Sequence, residues 1–221
     1  MSNNKKDDFG EQFRWDKKYW LEHLDFLNWY RYFAILKELK KIKPQSILEI
    51  GPGEGTIKSI FEKYVEKYQT MDVNQNLKPD YLSDIRDYNE NLKNSFDCVI
   101  AADVLEHIVF DDFEKSLKNI FNYLKDDGYA LITIPHRASY FLLMTPTYRP
   151  KIIRIPTGFC SPGAFYRRFI KRKIWIDPCH EWEIGDGKHI IKDVEKIIKE
   201  IGFKIEKREK LLYVDFWVLK K

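Results

Sequence analysis

The sequence predicts an α/β protein built on a doubly wound, mostly parallel, seven-stranded sheet that ends in an antiparallel hairpin and carries helices on both faces. Two observations predict this fold. Between residues 46 and 135, apolar runs typical of buried strands alternate with helical periodicity, a pattern that gives a parallel sheet covered on both sides. Residues 203–221 predict two strands joined by a tight turn, so one edge of the sheet is antiparallel.

The predicted elements follow one another in a regular order. Residues 15–41 carry apolar side chains at near-helical spacing and predict one or two aromatic-rich helices before Pro44. Strands are predicted near 46–50, 68–72, 80–83, 97–102 and 128–134, with helical patterns after the first and fourth and a candidate after the third. A helix near 190–201 follows, with Gly202 as its C-cap. The connection 136–188 is predicted to be long and irregular, and its length indicates a function.

The composition predicts a soluble, cytoplasmic protein. Charged residues make up 33% of the 221-residue chain, and no apolar stretch reaches the length of a membrane span. Residues 1–12 are polar and lack the apolar centre of a secretory signal. The three cysteines, Cys98, Cys160 and Cys179, form no CxxC pair, which favours a reducing compartment and argues against a zinc site.

Three glycines stand at alternate positions between the first strand and the first helix of the core, in SILEIGPGEGTIKSIF. Gly51, Gly53 and Gly55 would present backbone N–H groups to a ligand without obstruction by a Cβ atom. A glycine-rich turn without a ligand is the alternative, but it needs fewer glycines. The dinucleotide fingerprint GxGxxG would place its third glycine at Thr56, which disfavours an NAD-dependent dehydrogenase.

Counted from Glu49, the spacing is Glu-x-Gly-x-Gly-x-Gly, and here the chain resembles the class I S-adenosylmethionine-dependent methyltransferases, whose first motif is E/DxGxGxG. The segments YQTMDVN, YLSDIRD, FDCVIAADVLEHI and YLKDDGYALITIP resemble later motifs of the family in the family's order. The resemblance implies a Rossmann-like fold, S-adenosylmethionine as cofactor and S-adenosylhomocysteine as product. It implies cofactor contacts from the following residues: Glu49, Gly51, Gly53, Gly55, Asp72, Val73, Asp84, Ile85 and Ala102.

Two carboxylates have specific roles under this resemblance. Asp72, at the end of the second strand, would hold the ribose hydroxyls, and a carboxylate there can accept hydrogen bonds from both. Asp84 would meet the adenine amino group, and Glu49 would orient the glycine loop or a water at the ligand's ammonium group. The alternative for both aspartates is a turn carboxylate that caps its own backbone.

Three histidines are candidates for a general base, which is needed only if the acceptor must lose a proton. His180 resembles the family's histidine before the last helix and is the first candidate; His136, at the end of the fifth strand, and His107, after the fourth, are the others. Asp103, Glu106 and His107 would share one face of a helix, and some relatives bind a divalent metal with a similar cluster. We expect no metal, and this triad is the alternative.

A basic, aromatic segment separates the fifth strand from the last helix. Residues 137–174 contain nine basic residues and no acidic one, so the remainder of the chain has a net charge of −5 against +4 for the whole. In the family this segment builds the acceptor site, and we expect Arg137, Tyr166, Arg167 and Arg168 to bind the acceptor. Such a surface suits an anionic small molecule, an anionic membrane with a lipid-linked acceptor or, less well, RNA. A solvated cap with an aromatic core is the alternative.

These inferences divide the chain into four regions: 1–45, a helical cap in which Phe13, Trp15, Tyr19 and Trp20 are candidates for a lid; 46–135, the S-adenosylmethionine-binding core; 136–188, the acceptor-site insert; and 189–221, the helix and hairpin that complete the sheet. The predicted function is methyl transfer to a small or medium-sized, anionic acceptor. The alternative is a non-catalytic cofactor-binding module that docks on RNA or an anionic membrane. The sequence does not indicate an oligomeric state.

Overall fold

A computed structural model describes residues 26–144, 150–155, 161–171 and 174–221. The central sheet has seven strands in the order β3-β2-β1-β4-β5-β9-β8. These strands are β1 (Ser46–Ile50), β2 (Lys67–Asp72), β3 (Tyr81–Leu82), β4 (Phe96–Ala102), β5 (Leu124–Pro135), β8 (Lys204–Lys210) and β9 (Val214–Lys220). The first five are parallel to one another, whereas β9 runs antiparallel to both β5 and β8. The predicted sheet, with its antiparallel C-terminal hairpin, is therefore confirmed.

Helices cover both faces of the sheet. On one face lie α1 (Phe26–Ile42) and α2 (Thr56–Phe61), and on the other lie α3 (Phe113–Tyr123) and α5 (Ile191–Ile201). Each helix buries an apolar stripe, such as Ile35 and Leu39 of α1 or Val194 and Ile198 of α5. Gly202 ends α5 at φ 112°, the left-handed conformation that a C-cap glycine adopts without strain. The sequence offered a candidate helix after the third strand. At that position, after β3, the chain forms a 3₁₀ turn, Glu90–Leu92.

The fifth strand begins earlier than predicted. It starts at Leu124 and not near 128, and it contains an irregularity before Tyr129. Phe96 pairs with Leu124, and Cys98 then pairs with Tyr129, so the extra residues of β5 bulge out around Asp127 at φ 63°. Beyond the bulge, β5 again pairs regularly with β4, and it runs on to Pro135 at the carboxyl edge of the sheet.

The connection between β5 and α5 is more ordered than predicted. It contains an antiparallel hairpin of β6 (Ser139–Met144) and β7 (Pro150–Ile155), which forms a separate two-stranded sheet. A short helix, α4 (Pro162–Phe165), follows and continues as a π-helical turn over Tyr166–Ile170. Ser161 caps α4 by accepting the N–H of Ala164, and Pro162 occupies its first turn. The prediction of an irregular connection was therefore wrong for the hairpin.

Some predictions fall outside the described residues, among them the candidate lid residues Phe13, Trp15, Tyr19 and Trp20 and the cysteine at position 160. No helix in the described part of the chain is long and apolar enough to cross a membrane.

Candidate active site

A cleft opens at the carboxyl edge of the sheet, where β1, β2 and β4 end next to one another. Its empty volume, counted to the open mouth, is about 680 Å³. Parallel sheets bind ligands at this edge, at the point where the strand order reverses, which here lies between β1 and β4. The residues that line it come from four segments of the chain: Ile50, Gly51 and Gly53; Met71, Asp72, Val73 and Asn74; Ser83, Asp84 and Ile85; and Asp103, Val104, His107 and Ile108.

The glycine loop forms one wall of the cleft. Gly51, Gly53 and Gly55 have φ angles of 62°, 54° and 72°, in the left-handed region that disfavours any side chain. The N–H of Gly51 donates to the carbonyl of Met71 at 2.9 Å, which ties the loop to the end of β2. A Cβ at Gly51 would lie 2.5 Å from Cγ2 of Val104 on the opposite wall. The alternating glycines thus bring the backbone close to the wall that follows β4.

Asp72 ends β2 and faces the cleft. Its Oδ1 accepts the N–H of Asn74 at 2.7 Å, which fixes the carboxylate at the turn after the strand. Burial raises the pKa of Asp72, and backbone hydrogen bonds from Asn74 and Val73 oppose that rise. Val73 presents an exposed apolar side chain next to it. A carboxylate beside an apolar surface can bind a ribose that carries an aromatic base.

Asp84 also lines the cleft, but its carboxylate has a partner. Oδ1 accepts the backbone N–H of Arg86 at 2.8 Å, and Oδ2 pairs with the guanidinium at 2.6 Å. Burial opposes ionisation of Asp84, yet these bonds from Arg86 outweigh it and lower its pKa. An additional donor at this carboxylate would share it with Arg86.

Three of the predicted cofactor residues do not line the cleft. Glu49 and Ala102 lie on the α1 face of the sheet, because alternation along a strand sends neighbouring side chains to opposite faces and Ile50 and Asp103 face the cleft instead. Glu49 is buried and accepts the hydroxyl of Tyr68 at 2.8 Å. Burial raises its pKa to about 7, against the hydrogen bond from Tyr68. Gly55 caps α2 behind the loop.

Asp103 bonds to side chains from several elements and is not a member of the group of residues that could hold a metal ion. It pairs with Arg31 of α1, accepts the hydroxyl of Thr133, and lies 3.0 Å from the hydroxyl of Tyr213. Its φ of 55° is left-handed, and only a 3₁₀ turn, Leu105–His107, follows. The predicted helical face shared by Asp103, Glu106 and His107 therefore does not form.

The structure instead brings Glu106, His107 and His180 together. One potential ligand atom of each lies within 4.8 Å of those of the other two, a spacing compatible with a metal ion. Glu106 is fully buried, and neither of its carboxyl oxygens has a hydrogen-bond partner among the described residues. Burial raises its pKa to about 8, so this carboxyl group is mostly protonated at neutral pH.

His107 lines the cleft and His180 lies behind it, their rings edge to face at 4.9 Å. Nδ1 of His107 is 3.0 Å from the carbonyl of Cys179, so it carries the proton, because a carbonyl only accepts. Burial lowers the pKa of His107, opposed by that hydrogen bond and assisted by His180. His180 donates from Nδ1 to Glu183 at 2.9 Å. His180, the first candidate base from the sequence, is thus separated from the cleft by His107.

His136 belongs to a separate buried group. Its Nδ1 contacts the carboxylate of Asp215, a fully buried residue of β9 that also pairs with Arg154 of β7 at 2.8 Å. Burial opposes ionisation of Asp215, but the bond from His136 and the charge of Arg154 lower its pKa overall. The group joins the insert to the core beside the cleft.

The predicted acceptor-binding residues all lie in the insert and outside the lining of the cleft. Tyr166, Arg167 and Arg168 lie on the π-helical turn after α4. The guanidinium of Arg137 stacks over the ring of Trp175 at 4.5 Å, and the backbone N–H of Arg137 donates to the carbonyl of Ile184 at 2.7 Å.

Sequence reasoning missed several residues that line the cleft, notably Asn74, Ser83, Val104 and Ile108. All four lie inside segments whose resemblance was used, Asn74 in YQTMDVN, Ser83 in YLSDIRD, and Val104 and Ile108 in FDCVIAADVLEHI, so their position was an available signal.

The chain matches known proteins in family and in fold. A methyltransferase domain family covers residues 20–208. No curated protein matches the chain in sequence. Among solved structures, the N-methyltransferase NodS from Bradyrhizobium japonicum, in complex with S-adenosylhomocysteine, has a TM-score of 0.62 at 14% identity, over 96% of this chain and 95% of that one.

Two further structures agree in fold. The 1,6-didemethyltoxoflavin-N1-methyltransferase from Burkholderia thailandensis, with bound 1,6-didemethyltoxoflavin and S-adenosylhomocysteine, has a TM-score of 0.59 at 13% identity, over 97% of this chain and 85% of that one. An S-adenosylmethionine-dependent methyltransferase from Clostridium acetobutylicum has a TM-score of 0.59 at 15% identity, over 96% and 97%. The chain belongs to the methyltransferase domain family and has the fold of the class I S-adenosylmethionine-dependent methyltransferases.

Proposed function

We propose that this protein transfers a methyl group from S-adenosylmethionine to a small or medium-sized, anionic acceptor. The observation that carries the proposal is the cleft in which a left-handed glycine loop faces the carboxylate that ends β2. The amino-acid part of the cofactor would lie along Gly51 and Gly53, and Asp72 would accept its ribose hydroxyls. Its adenine would lie between Val73 and Ile85, with Asp84 at its amino group in competition with Arg86.

The chemistry asks mainly for position. S-adenosylmethionine supplies, when bound, a methyl carbon that its sulfonium makes electrophilic. The protein has to hold an acceptor in line with that carbon and exclude water, and such alignment is worth up to about 7–11 kcal/mol. His107 is the candidate base of first choice, because it lines the cleft and its lowered pKa keeps it neutral at physiological pH. Its Nδ1 proton is held by Cys179, which leaves Nε2 to accept a proton. His180, in edge-to-face contact with the ring, would position it.

The acceptor is proposed to be anionic because the insert next to the cleft is basic. Residues 137–174 carry nine cations and no acidic residue. Arg167 and Arg168 lie on one helical turn with Tyr166, which combines charge for a phosphate or carboxylate with a ring for an organic group. Arg137 lies closer to the core, where it follows His136 at the end of β5.

Calorimetric titration tests the cofactor part of the proposal. We expect S-adenosylmethionine and S-adenosylhomocysteine to bind and NAD to show no binding. Replacement of Asp72 by alanine should weaken binding about 10-fold or more, because it removes a charged acceptor worth roughly 1.5–3 kcal/mol. Asp80→Ala is a matched control, since Asp80 is an aspartate that bonds to Thr70 outside the cleft. Equal affinity of the Asp72 variant and this control would contradict the assignment of Asp72.

Turnover separates the proposal from its alternative, a non-catalytic module that binds the cofactor and docks elsewhere. With cofactor binding established, a screen of phosphorylated, carboxylated and lipid-linked acceptors should yield methylated product, detected as S-adenosylhomocysteine release. Cofactor binding without turnover on any acceptor would favour the module.

A further inference from the structure

The β6–β7 hairpin has two unlike faces. Phe141 pairs with Ile153 and Leu143 pairs with Lys151, so these four side chains share one face, because directly paired residues point the same way. Arg154 belongs to the other face, where its side chain is almost fully buried against Asp215. The Arg154 face is therefore turned to the core, and the face of Phe141 is turned away from it.

The outward face is apolar and exposed. Phe141, Leu143 and Ile153 are 56%, 50% and 46% exposed, and the fourth member, Lys151, is exposed as well. Large apolar side chains scattered singly are normal on a surface, but three that are adjacent on one two-stranded face form a patch. The buried ion pair between Arg154 and Asp215 fixes the hairpin to the core, so the position of this patch is fixed as well.

The helical part of the insert adds aromatic rings next to cations. Phe165 and Phe169 contact each other with ring centroids 4.7 Å apart, and Lys171 lies over the ring of Tyr166 at 5.6 Å. Trp175, 60% exposed, lies beneath the guanidinium of Arg137. Tyrosine and tryptophan combined with lysine and arginine are typical of the interface between water and lipid head groups, where each side chain keeps its polar end in water.

We propose that the insert docks on an anionic membrane surface, with the outward face of the hairpin entering the head-group layer and exposed cations such as Lys151, Arg167 and Lys171 facing acidic lipids. The inference rests on the proposed function and narrows its acceptor to one that is carried in or on the membrane. The absence of acidic residues from 137–174 gives the charge complementarity. Of the three apolar side chains on the hairpin face only Phe141 has a ring on which a base could stack, whereas Leu143 and Ile153 are aliphatic, so the face fits acyl chains better than a row of stacked bases. The short apolar patch predicts reversible adsorption and not insertion.

Vesicle flotation with the full chain tests this proposal. We expect binding to vesicles that contain phosphatidylglycerol, at least 10-fold weaker binding to pure phosphatidylcholine vesicles, and a clear loss of binding as salt is raised. The triple variant Phe141→Ser, Leu143→Ser, Ile153→Ser should bind phosphatidylglycerol vesicles at least 10-fold more weakly, because it removes the apolar face and leaves every cation in place. Tyr64→Ser is the matched control, since Tyr64 is equally exposed but lies after α2, outside the insert.

Binding of S-adenosylhomocysteine is measured on each variant as an independent readout, because none of the substituted side chains lines the cofactor cleft. Unchanged cofactor affinity with reduced flotation supports the membrane surface. Unchanged flotation of the triple variant, equal binding to both vesicle types, or preferential binding to RNA would overturn it while the cofactor result left the proposed function standing. Loss of cofactor binding in the wild-type chain would instead overturn the proposed function.

Discussion

Glu49 illustrates how a single residue can belong to a motif and yet lie away from the ligand. It lies two positions before Gly51, the first residue of the glycine loop. Its side chain is nevertheless on the α1 face of the sheet, where the hydroxyl of Tyr68 donates to it. Burial is the largest influence on its pKa, which rises from 4.5 to about 7. Glu49 is thus a buried titratable group in the strand that leads into the glycine loop.

The pH dependence of stability should reveal this burial. Between pH 4.5 and 7 the unfolded chain releases the proton of Glu49 while the folded chain retains it, so the free energy of unfolding falls as the pH rises through this window. The full effect is about 3 kcal/mol. Glu49→Gln cannot titrate. We therefore expect its free energy of unfolding, measured in urea, to fall between pH 5 and pH 8 by about 3 kcal/mol less than that of the wild type. Parallel pH profiles of the two proteins would contradict the raised pKa.

Gly51 and Gly53 form a natural comparison within the glycine loop. Both have left-handed φ angles, but a Cβ at Gly51 would overlap Val104, whereas a Cβ at Gly53 has no atom within 4 Å. Alanine at either position should cost about 1–2 kcal/mol of stability for its backbone conformation. Gly51→Ala should in addition push Val104 into the cleft and weaken S-adenosylhomocysteine binding more than Gly53→Ala does, as measured by calorimetry. Equal affinities of the two variants would show that Val104 moves aside without effect.

At the scale of elements, the β6–β7 hairpin is tied to the C-terminal hairpin by a buried charged residue, Arg154. Arg154 of β7 is buried with Asp215 of β9, and its Nη2 donates to the carbonyls of Leu211 and Val214. These carbonyls belong to the turn before β9 and to its first residue, so a single guanidinium bonds to the side chain and backbone of the C-terminal hairpin. The hairpin β6–β7 therefore depends on the hairpin β8–β9 for its position.

Removal of this guanidinium should be costly. Arg154→Met leaves Asp215 buried with only His136 as a partner, and breaking a buried pair costs about 3–5 kcal/mol. Lys151→Met, on the opposite face of the same strand, should change stability by less than about 0.5 kcal/mol. Urea unfolding of both variants measures the difference. If both unfolded at the same urea concentration, another contact would hold the insert.

The elements show which features the sequence could predict. The apolar residues Ile47, Leu48 and Ile50 mark β1, which spans Ser46–Ile50 and is buried along its whole length. The left-handed Asp103 was not predictable, since its conformation depends on Thr133 and Arg31, which are distant in sequence. His180 was the first candidate base from the sequence, but the structure places its ring against His107, 73 positions earlier in the chain, and it is His107 that lines the cleft. Alternation along β1 and β4 could have assigned Glu49 and Ala102 to the α1 face.

At the scale of the whole molecule, the charge is divided between the core and the insert. The 137–174 segment carries +9 and the rest of the chain −5, by the count from the sequence. The cleft itself is lined by the carboxylates of Asp72, Asp84 and Asp103, whereas the insert provides cations beside it. A positively charged sulfonium ligand and an anionic acceptor would therefore each meet a surface of opposite charge.

The order of strands in the sheet also affects how the chain is made. β9 lies between β5 and β8, and both of these neighbours precede it in the sequence. During synthesis β5 and β8 leave the ribosome before the strand that pairs with both, and the buried side chains of β5 stay exposed until residues 214–220 emerge. Pairing across such long separations is slow, and open strand edges favour aggregation. Folding of this chain is therefore expected to finish only after translation of its final strand, during a window in which a chaperone would have most effect.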